Sequence, residues 1–226
     1  MPSQRKKSFR ESLSSSPLSI IAECKKASPS AGVIKPDYDA ITTAKTYELG
    51  GAKAISVLTD EPFFQGSLAD LQNVSTNVAI PTLRKDFILE EIQIEEAKAY
   101  GASAVLLIVR ILEPNQLQKL LRFANSLDLD VLVETHTREE VAMAIDAGAT
   151  ILGINTRDLD TFQLHPNLIH ELSAEIPKGI WKVGESGIGS KKDYESFRGV
   201  VDSLLIGTYF MKSPEPLKTL KELTNL

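Results

Sequence analysis

Residues 19–25, SIIAECK, form an apolar run that ends in charged side chains, and seven similar runs follow along the chain. These further runs are AISVLTDE (54–61), PTLRKDF (81–87), AVLLIVR (104–110), DVLVETH (130–136), ILGINTR (151–157), IWKVGES (180–186) and SLLIGTY (203–209). Stretches with helix-like patterning separate the runs. Eight strand–helix units in succession predict an α/β protein, a (β/α)8 TIM barrel with a short N-terminal extension.

The composition fits a single barrel. The chain has 226 residues, of which 42% are hydrophobic and 24% charged, as in ordinary globular proteins. We expect an arm or short helix, solvated, at 1–18 and the barrel domain at 19–226. The formal net charge of −5 gives no indication of nucleic-acid or membrane partners, and no apolar run approaches the roughly 20 residues of a membrane span. The single cysteine allows no intrachain disulfide, which favours a cytoplasmic location.

Local signals predict several helix ends. Thr137 followed by Glu140 is the pattern of a capping box. Residues 27–36 form the longest gap between elements, and we expect a functional loop there. Glycines that suit the left-handed residue ending a helix occur at Gly50-Gly51, Gly101 and Gly148.

Polar side chains follow the apolar runs, and in a TIM barrel the carboxyl ends of the strands carry the chemistry. Residues two apart on a strand share a face, so Glu23 should point the same way as Lys25, and Asn155 the same way as Arg157. Clustered carboxylates and lysines alter one another's proton affinity and serve general acid–base catalysis. The pattern therefore predicts an enzyme. The expected rim comprises Glu23, Lys25, Lys85, Glu134, Asn155, Arg157, Glu185 and Ser186.

Two glycine-containing loops predict a phosphate site. Residues 184–190, GESGIGS, follow the seventh run, and Gly207 and Thr208 follow the eighth. TIM barrels frequently bind phosphate at these two loops, where backbone N–H groups face the anion.

Taken together, these segments closely resemble the indole-3-glycerol phosphate synthase family. The resemblance rests on IIAECKKASPSAGVI, SVLTDEPFFQGS, PTLRKDFI, VLLIVRIL, LVETHT, GINTRDLDTF, VGESGI and LIGTYFM, which occur in order from about Phe9 onward. It implies a TIM-barrel carboxy-lyase of tryptophan biosynthesis. Its substrate would be 1-(2-carboxyphenylamino)-1-deoxyribulose 5-phosphate, which closes to indole-3-glycerol phosphate with loss of carbon dioxide and water. The resemblance implies no metal and no organic cofactor.

The resemblance also implies roles for individual residues. Lys85 would be the general acid and Glu134 the base or cation stabiliser, while Lys25 and Glu23 would assist dehydration and position Lys85. The division of acid duty between the two lysines stays open. Arg157 would anchor the anthranilate carboxylate. Other substrate contacts would be Asn155, Glu185 and Ser186. The phosphate cradle would be Ser28, Gly187, Gly207 and Thr208. The apolar wall around the aromatic ring would be Pro29, Phe64, Phe87, Leu106, Ile108 and Leu159.

The N-terminal region departs from the family pattern. Family members usually carry a longer N-terminal region with a helix over the barrel mouth, whereas 18 residues precede Ser19 here. The match within QRKKSFRESL resembles the tail of that helix, and we expect weaker substrate binding as a result. Oligomeric state is open, with a monomer as the default expectation.

Some reactive residue types are expected to be structural. Cys24 alternates with its two charged neighbours and should face the helices, as buried free cysteines usually do. His136 is expected in a loop, and His165 and His170 lack a metal-ligand spacing. Trp181 and Met211 are expected to pack in the core.

Two alternative functions compete with the lyase. The first is an isomerase or aldolase barrel acting on a related sugar phosphate, although one acid and one base suffice for an isomerase and this chain offers more. The second is a non-catalytic barrel that binds an anionic metabolite, for which the short N-terminus is the only support.

Overall fold

In the computed structural model, which describes residues 8–224, eight parallel strands close into a barrel. Each strand begins within one of the eight apolar runs. The strands are β1 (Ser19–Cys24), β2 (Ala54–Leu58), β3 (Thr82–Lys85), β4 (Ala104–Ile108), β5 (Asp130–Thr135), β6 (Ile151–Asn155), β7 (Trp181–Glu185) and β8 (Ser203–Ile206). They follow one another around the barrel in chain order, and β8 closes it by pairing with β1, with Ser19 opposite Ser203. The TIM-barrel prediction is confirmed.

Helices surround the barrel. They are α1 (Phe9–Leu13), α2 (Ala40–Leu49), α3 (Glu61–Phe64), α4 (Leu68–Asn77), α5 (Glu91–Ala99), α6 (Pro114–Ser126), α7 (Arg138–Asp146), α8 (Leu168–Ser173), α9 (Lys191–Ser196), α10 (Thr208–Lys212) and α11 (Pro216–Thr224). A 3-10 turn, Val109–Ile111, follows β4, and a small hairpin pairs Ala27–Ser28 with Gly32–Val33 after β1. Within the described part of the chain, no helix is long and apolar enough to cross a membrane.

The strands are apolar on both faces because each lies between the helices and the barrel interior. Along β1, Ile20, Ala22 and Cys24 pack in the outer layer against the helices, whereas Ile21 belongs to the interior. Cys24 is therefore buried on the helix side, as its alternation predicted.

The barrel interior has an apolar layer beneath a polar one. Side chains at equivalent positions of β1, β3, β5 and β7 form the apolar layer, as alternate strands do in this fold. They are Ile21, Leu83, Leu132 and Val183. Two residues further along the same strands, and so on the same face, come the ionisable side chains Glu23, Lys85, Glu134 and Glu185. The apolar layer thus supports an ionisable layer at the carboxyl end.

Helix α1 closes the opposite end of the barrel. Phe9 and Leu13 are fully buried against the barrel interior. The Arg10 guanidinium donates to the carbonyl oxygens of Thr150, at 2.7 Å, and Gly179, at 2.9 Å, both just before a strand begins. The expected short helix is present, but it is not solvated, and it lies at the amino-terminal end of the barrel rather than over the mouth. The family resemblance had suggested that this segment is the tail of a helix over the barrel mouth, and that expectation is wrong for Phe9–Leu13.

The burial of α1 makes a stability prediction. Phe9→Ala should lower the free energy of unfolding by about 3–5 kcal/mol, since it removes a fully buried aromatic side chain and leaves a cavity. Turnover of the folded enzyme should be unchanged because α1 lies at the end of the barrel away from the ionisable layer. Leu49→Ala, at a side chain 69% exposed, is the control. Urea unfolding measures both, and equal midpoints for the two variants would contradict the prediction.

Local details match the sequence signals in part. Gly51, Gly101 and Gly148 have φ of 93°, 83° and 91°, as predicted for residues that end helices, whereas Gly50 is right-handed. Thr137 caps α7 by accepting from the Glu140 N–H at 3.2 Å. The reciprocal half of the capping box is missing, because the Glu140 carboxylate accepts from the His136 backbone N–H at 2.6 Å instead.

Candidate active site

The carboxyl end of the barrel opens into a cavity of about 690 Å³. Every site residue expected from the sequence lines it. From the strand ends come Glu23, Lys25, Lys85, Leu106, Ile108, Glu134, Asn155 and Glu185, and from the loops Ser28, Pro29, Phe64, Phe87, Arg157, Leu159, Ser186, Gly187, Gly207 and Thr208. Strand alternation and the meeting of eight carboxyl ends at one rim bring them together.

Lys85 lies at the centre of the ionisable layer. Its Nζ lies 3.2 Å from Glu185 Oε2, 3.5 Å from Glu23 Oε2 and 3.7 Å from Glu134 Oε2. Lys25 Nζ contacts the other oxygen of Glu23 at 2.8 Å. One ammonium group thus faces three carboxylates that come from the other three odd-numbered strands.

Burial and charge act against each other on these groups. Burial alone would raise the pKa of Glu23, but Lys25 and Lys85 outweigh it and lower that pKa to about 2. Burial would lower the pKa of Lys85, yet Glu185, Glu23 and Glu134 raise it above its ordinary value. Burial raises the pKa of Glu185 to about 8; Lys85 opposes this rise and Glu134 adds to it. At neutral pH the layer therefore holds a proton on Lys85 and another on Glu185.

The raised pKa of Glu185 predicts a pH-dependent stability. Between about pH 4.5 and 8 the folded protein keeps a proton at Glu185 that the unfolded chain has released. Folding therefore becomes less favourable as the pH rises through this window. Glu185→Gln cannot ionise, so its stability relative to the parent should increase from pH 5 to pH 8, by on the order of a few kcal/mol. The lowered pKa of Glu23 changes the stability only below pH 4.5, which is outside the range of the Glu185 effect.

Thermal melts of parent and Glu185→Gln at half-unit steps of pH measure this effect. Glu222→Gln, at an exposed position of α11, controls for the general effect of removing a carboxylate. Melting curves whose difference stays constant from pH 5 to pH 8 would contradict the assignment.

Two glycines provide room for the carboxylates. A Cβ added at Gly153 would lie 2.3 Å from Glu185 Oε1, and one at Gly207 would lie 2.4 Å from Glu23 Oε1. Both glycines belong to even-numbered strands or their ends, between the odd-numbered strands that carry the acids. Gly207 was expected as a phosphate contact, and it also makes space for Glu23. The sequence interpretation did not include Gly153.

One carboxylate oxygen of Glu134 accepts a hydrogen bond from Asn155, and the other faces Lys85. Its Oε1 accepts from Asn155 Nδ2 at 3.1 Å and faces His136 Nε2 at 3.4 Å, while Oε2 faces Lys85. His136 was expected in a loop. It directly follows β5, and its side chain is only 3% exposed. Its position two residues after Glu134 was the available signal, because such residues share a face.

The loop after β6 is braced by its own residues. The backbone N–H of Arg157 donates to Asn155 Oδ1 at 3.1 Å, and its guanidinium donates to the Phe162 carbonyl at 3.0 Å. Arg157 itself lines the cavity. Phe162 and Leu164, which the sequence interpretation missed, also line the cavity and are 41% and 42% exposed.

The expected phosphate contacts come from loops that are neighbours in space. Ser28 follows β1, Gly187 follows β7, and Gly207 and Thr208 follow β8. Because β8 lies between β7 and β1, these loops occupy one continuous third of the rim. Gly187 has a φ of 74°, a left-handed conformation that glycine adopts without strain.

The apolar side of the cavity is partly aromatic. The ring centroids of Phe64 and Phe87 are 6.5 Å apart, and Leu106 and Ile108 are almost fully buried below them. Asp60 and Asp86 line the cavity as well and were not expected. Asp86 is bound by Arg84, whose Nη2 lies 2.9 Å from its Oδ2. Since the two residues flank Lys85 in the chain, this ion pair fixes the backbone from which Lys85 extends.

Fold and cavity together define an enzyme of the TIM-barrel class with acid–base groups at the carboxyl ends of its strands. The indole-3-glycerol phosphate synthase family model matches residues 2–223. The chain belongs to this family.

Relatives named indole-3-glycerol phosphate synthase agree with that assignment. The protein from Leptospira interrogans is 60% identical over 208 residues, which are 92% of this chain and 82% of the relative. The protein from Aquifex aeolicus is 50% identical over 218 residues, 95% and 84% of the two chains. Solved structures show the shared fold alone. KGPDC from Streptococcus mutans has a TM-score of 0.71 at 11% identity, covering 92% of this chain and 96% of that one. Thiamine phosphate pyrophosphorylase from Pyrococcus furiosus has a TM-score of 0.69 at 16% identity, covering 92% and 95%.

Proposed function

We propose that this chain converts 1-(2-carboxyphenylamino)-1-deoxyribulose 5-phosphate into indole-3-glycerol phosphate, carbon dioxide and water, as a carboxy-lyase of tryptophan biosynthesis. The observation that carries the proposal is Lys85, a protonated ammonium group that faces the carboxyl groups of Glu23, Glu134 and Glu185, in a chain of this family. Such a group can donate a proton and then be reprotonated by its neighbours.

In the first step the ring carbon that bears the carboxylate attacks the ketone carbon, and a carbon–carbon bond forms. The ketone oxygen takes a proton from Lys85 and becomes a hydroxyl group. The positive charge left on the anilino ring system lies in a cavity that the Glu134 carboxylate lines, and this supports a stabilising role for that carboxylate.

In the second step the bond to the carboxylate breaks, its electron pair returns to the ring, and carbon dioxide leaves. Arg157 would hold this carboxylate before cleavage, since it lines the cavity. The apolar wall of Phe64, Phe87 and Leu159 favours release, because a low-polarity surrounding favours neutral carbon dioxide over the carboxylate.

In the third step the hydroxyl group leaves as water after taking a proton, and Glu134 accepts a proton from the neighbouring carbon to complete the indole. Lys25 is another ammonium group that lines the cavity, and it is paired with Glu23, so it is suited to donate this proton. Two protons enter and one is removed, so each turnover takes one net proton from solvent, which balances the carboxylate charge lost with carbon dioxide.

The rim loops after β7, β8 and β1 would hold the substrate phosphate, with contacts from Ser28, Gly187, Gly207 and Thr208. Asn155, Glu185 and Ser186 would contact the remainder of the sugar. We further propose a cytoplasmic enzyme, which the single buried cysteine supports. The expectation of a monomer stays a prediction that analytical ultracentrifugation can test.

Incubating the chain with the carboxyphenylamino substrate and following indole fluorescence tests the proposal. Product formation that is proportional to enzyme, with one carbon dioxide released per indole, is expected. An isomerised sugar phosphate with its carboxylate retained, or binding without turnover, would contradict it and favour one of the two alternative functions.

A further inference from the structure

A chain of charged side chains runs from the active-site cavity to the surface behind Glu134. His136 Nε2 lies 3.4 Å from Glu134 Oε1, and its Nδ1 lies 3.3 Å from Glu140 Oε2. The other Glu140 oxygen lies 3.5 Å from Arg110 Nε. Exposed side-chain fractions rise along the chain, from 2% at Glu134 and 3% at His136 to 12% at Glu140 and 28% at Arg110.

Glu140 fixes the orientation of the His136 ring. Its Oε2 accepts both the backbone N–H of His136, at 2.6 Å, and the ring Nδ1–H. Its own backbone N–H is held by the Thr137 cap at 3.2 Å. Two hydrogen bonds from one residue to one carboxylate oxygen leave the ring little freedom to rotate.

The other ring nitrogen is directed at Glu134. Nε2 of His136 is buried and makes no hydrogen bond within residues 8–224. It lies 3.4 Å from Glu134 Oε1. Since Nδ1 lies 3.3 Å from Glu140 Oε2, each ring nitrogen faces one carboxylate.

We propose that His136, which lies between Glu134 and Glu140, is a positioning residue that holds Oε1 of Glu134 so that Oε2 faces Lys85 and the substrate. Asn155 is the second donor to the same oxygen, at 3.1 Å. Asn155 bonds to Oε1 and His136 lies against it, so the carboxylate has little room to rotate and Oε2 keeps its place 3.7 Å from Lys85 Nζ. The proposal rests on the proposed function, in which Glu134 is the acceptor of a proton.

Arg110 extends this support to a second loop. Its Nη1 lies 3.5 Å from Asp158 Oδ2 and 3.4 Å from Asp160 Oδ2, in the loop after β6 that also carries Arg157 and Leu159. The burial of Glu140 would raise its pKa, but its hydrogen bonds to His136, with help from Arg110, lower it, so Glu140 is ionised and keeps both partners. The charged groups in this chain of contacts are Glu134 and Glu140, which face the His136 ring, and Arg110, which faces Glu140.

Two amide variants distinguish the contact of Nδ1 with Glu140 from the contact of Nε2 with Glu134. The asparagine of His136→Asn reaches the position of Nδ1, so it keeps a contact with Glu140 and loses the one with Glu134. The glutamine of His136→Gln reaches the position of Nε2 and can still donate to Glu134. We expect His136→Asn to lower kcat about 10- to 100-fold with KM within about twofold, as removal of groups that orient active-site residues commonly does. His136→Gln should recover most of that loss.

The pH profile provides a readout that a structural role alone would not move. The pH profile of kcat should change in His136→Asn, because the variant removes an ionisable ring that lies 3.4 Å from Glu134 Oε1. His170→Gln, at an exposed histidine stacked on Phe197 with centroids 5.3 Å apart, is the control. Melting temperatures of all variants show whether activity follows folding. A His136→Asn variant with parent kcat and profile, or with a loss that tracks its melting temperature, would overturn the proposal.

A spectroscopic measurement keeps this proposal separate from the proposed function. The chain has three histidines, so ¹⁵N spectra of the imidazole nitrogens are assigned with one variant each. We expect the Nε2 signal of His136 to move in Glu134→Gln. An Nε2 signal that stays in place in Glu134→Gln overturns the role of His136 even if the parent is active. An inactive parent with the expected spectrum instead refutes the reaction and leaves the His136 contact standing.

Discussion

Lys85→Met is expected to abolish ring closure while leaving the chain folded. Lys85 is the group in the cavity that faces Glu23, Glu134 and Glu185 at once, and in the proposed reaction it protonates the ketone oxygen as the new bond forms. General acid catalysis contributes on the order of 100- to 10,000-fold, and turnover should fall by that factor. Single-turnover fluorescence with saturating substrate measures the loss.

A second variant separates proton donation from charge. Lys85→Arg keeps a cation among the three carboxylates, but a guanidinium group does not give up its proton at neutral pH. It should therefore melt near the parent temperature and be about as inactive as Lys85→Met. Lys98→Met, at an exposed position of α5, is the control for loss of a lysine. If Lys85→Arg turned over within a few fold of the parent, Lys85 would act through its charge and not as an acid.

Glu134→Gln is expected to lower kcat far more than it changes KM. The amide keeps the size of the side chain and can still bond to Asn155, but it carries no charge to stabilise a cationic ring and no site to take up a proton. A group that acts mainly in the transition state lowers kcat and kcat/KM together, and we expect about 100-fold or more.

Steady-state kinetics at several substrate concentrations separate the two parameters for Glu134→Gln. Glu113→Gln, at the residue before α6 and absent from the cavity lining, is the control. A raised KM with kcat unchanged would show that Glu134 contacts the substrate equally in ground and transition states.

The sequence predicts the strands and the cavity lining well because both follow from local rules. Alternation along a strand places Glu23 inside and Cys24 outside, and closure of parallel strands brings all carboxyl ends to one rim. The family resemblance supplied the residue roles, which alternation alone does not provide.

Other features depend on distances across the barrel that no local pattern encodes. Gly153 matters because Glu185, 32 positions later in the numbering, needs the space, and nothing near Gly153 in the chain indicates this. The contact between His136 and Glu134 could be anticipated from spacing, but the support from Arg110 could not. Helix α1 was assigned to the wrong end of the barrel because its place was taken from the family resemblance, and five residues carry no local signal of what they pack against.

The pairing of β1 with β8 has a consequence for the order of events on the ribosome. At synthesis rates of roughly 5–20 residues per second, the strand at Ser19–Cys24 waits about 10–40 s for its partner at Ser203–Ile206 to be made. Until then β1 can pair only with β2, and its other edge and the apolar side chains of α1 have no finished barrel to bind. Contacts so distant in sequence form late and slowly. The nascent chain therefore exposes an unpaired edge strand for most of its synthesis, which makes this seam the place where a chaperone would bind and where aggregation would begin.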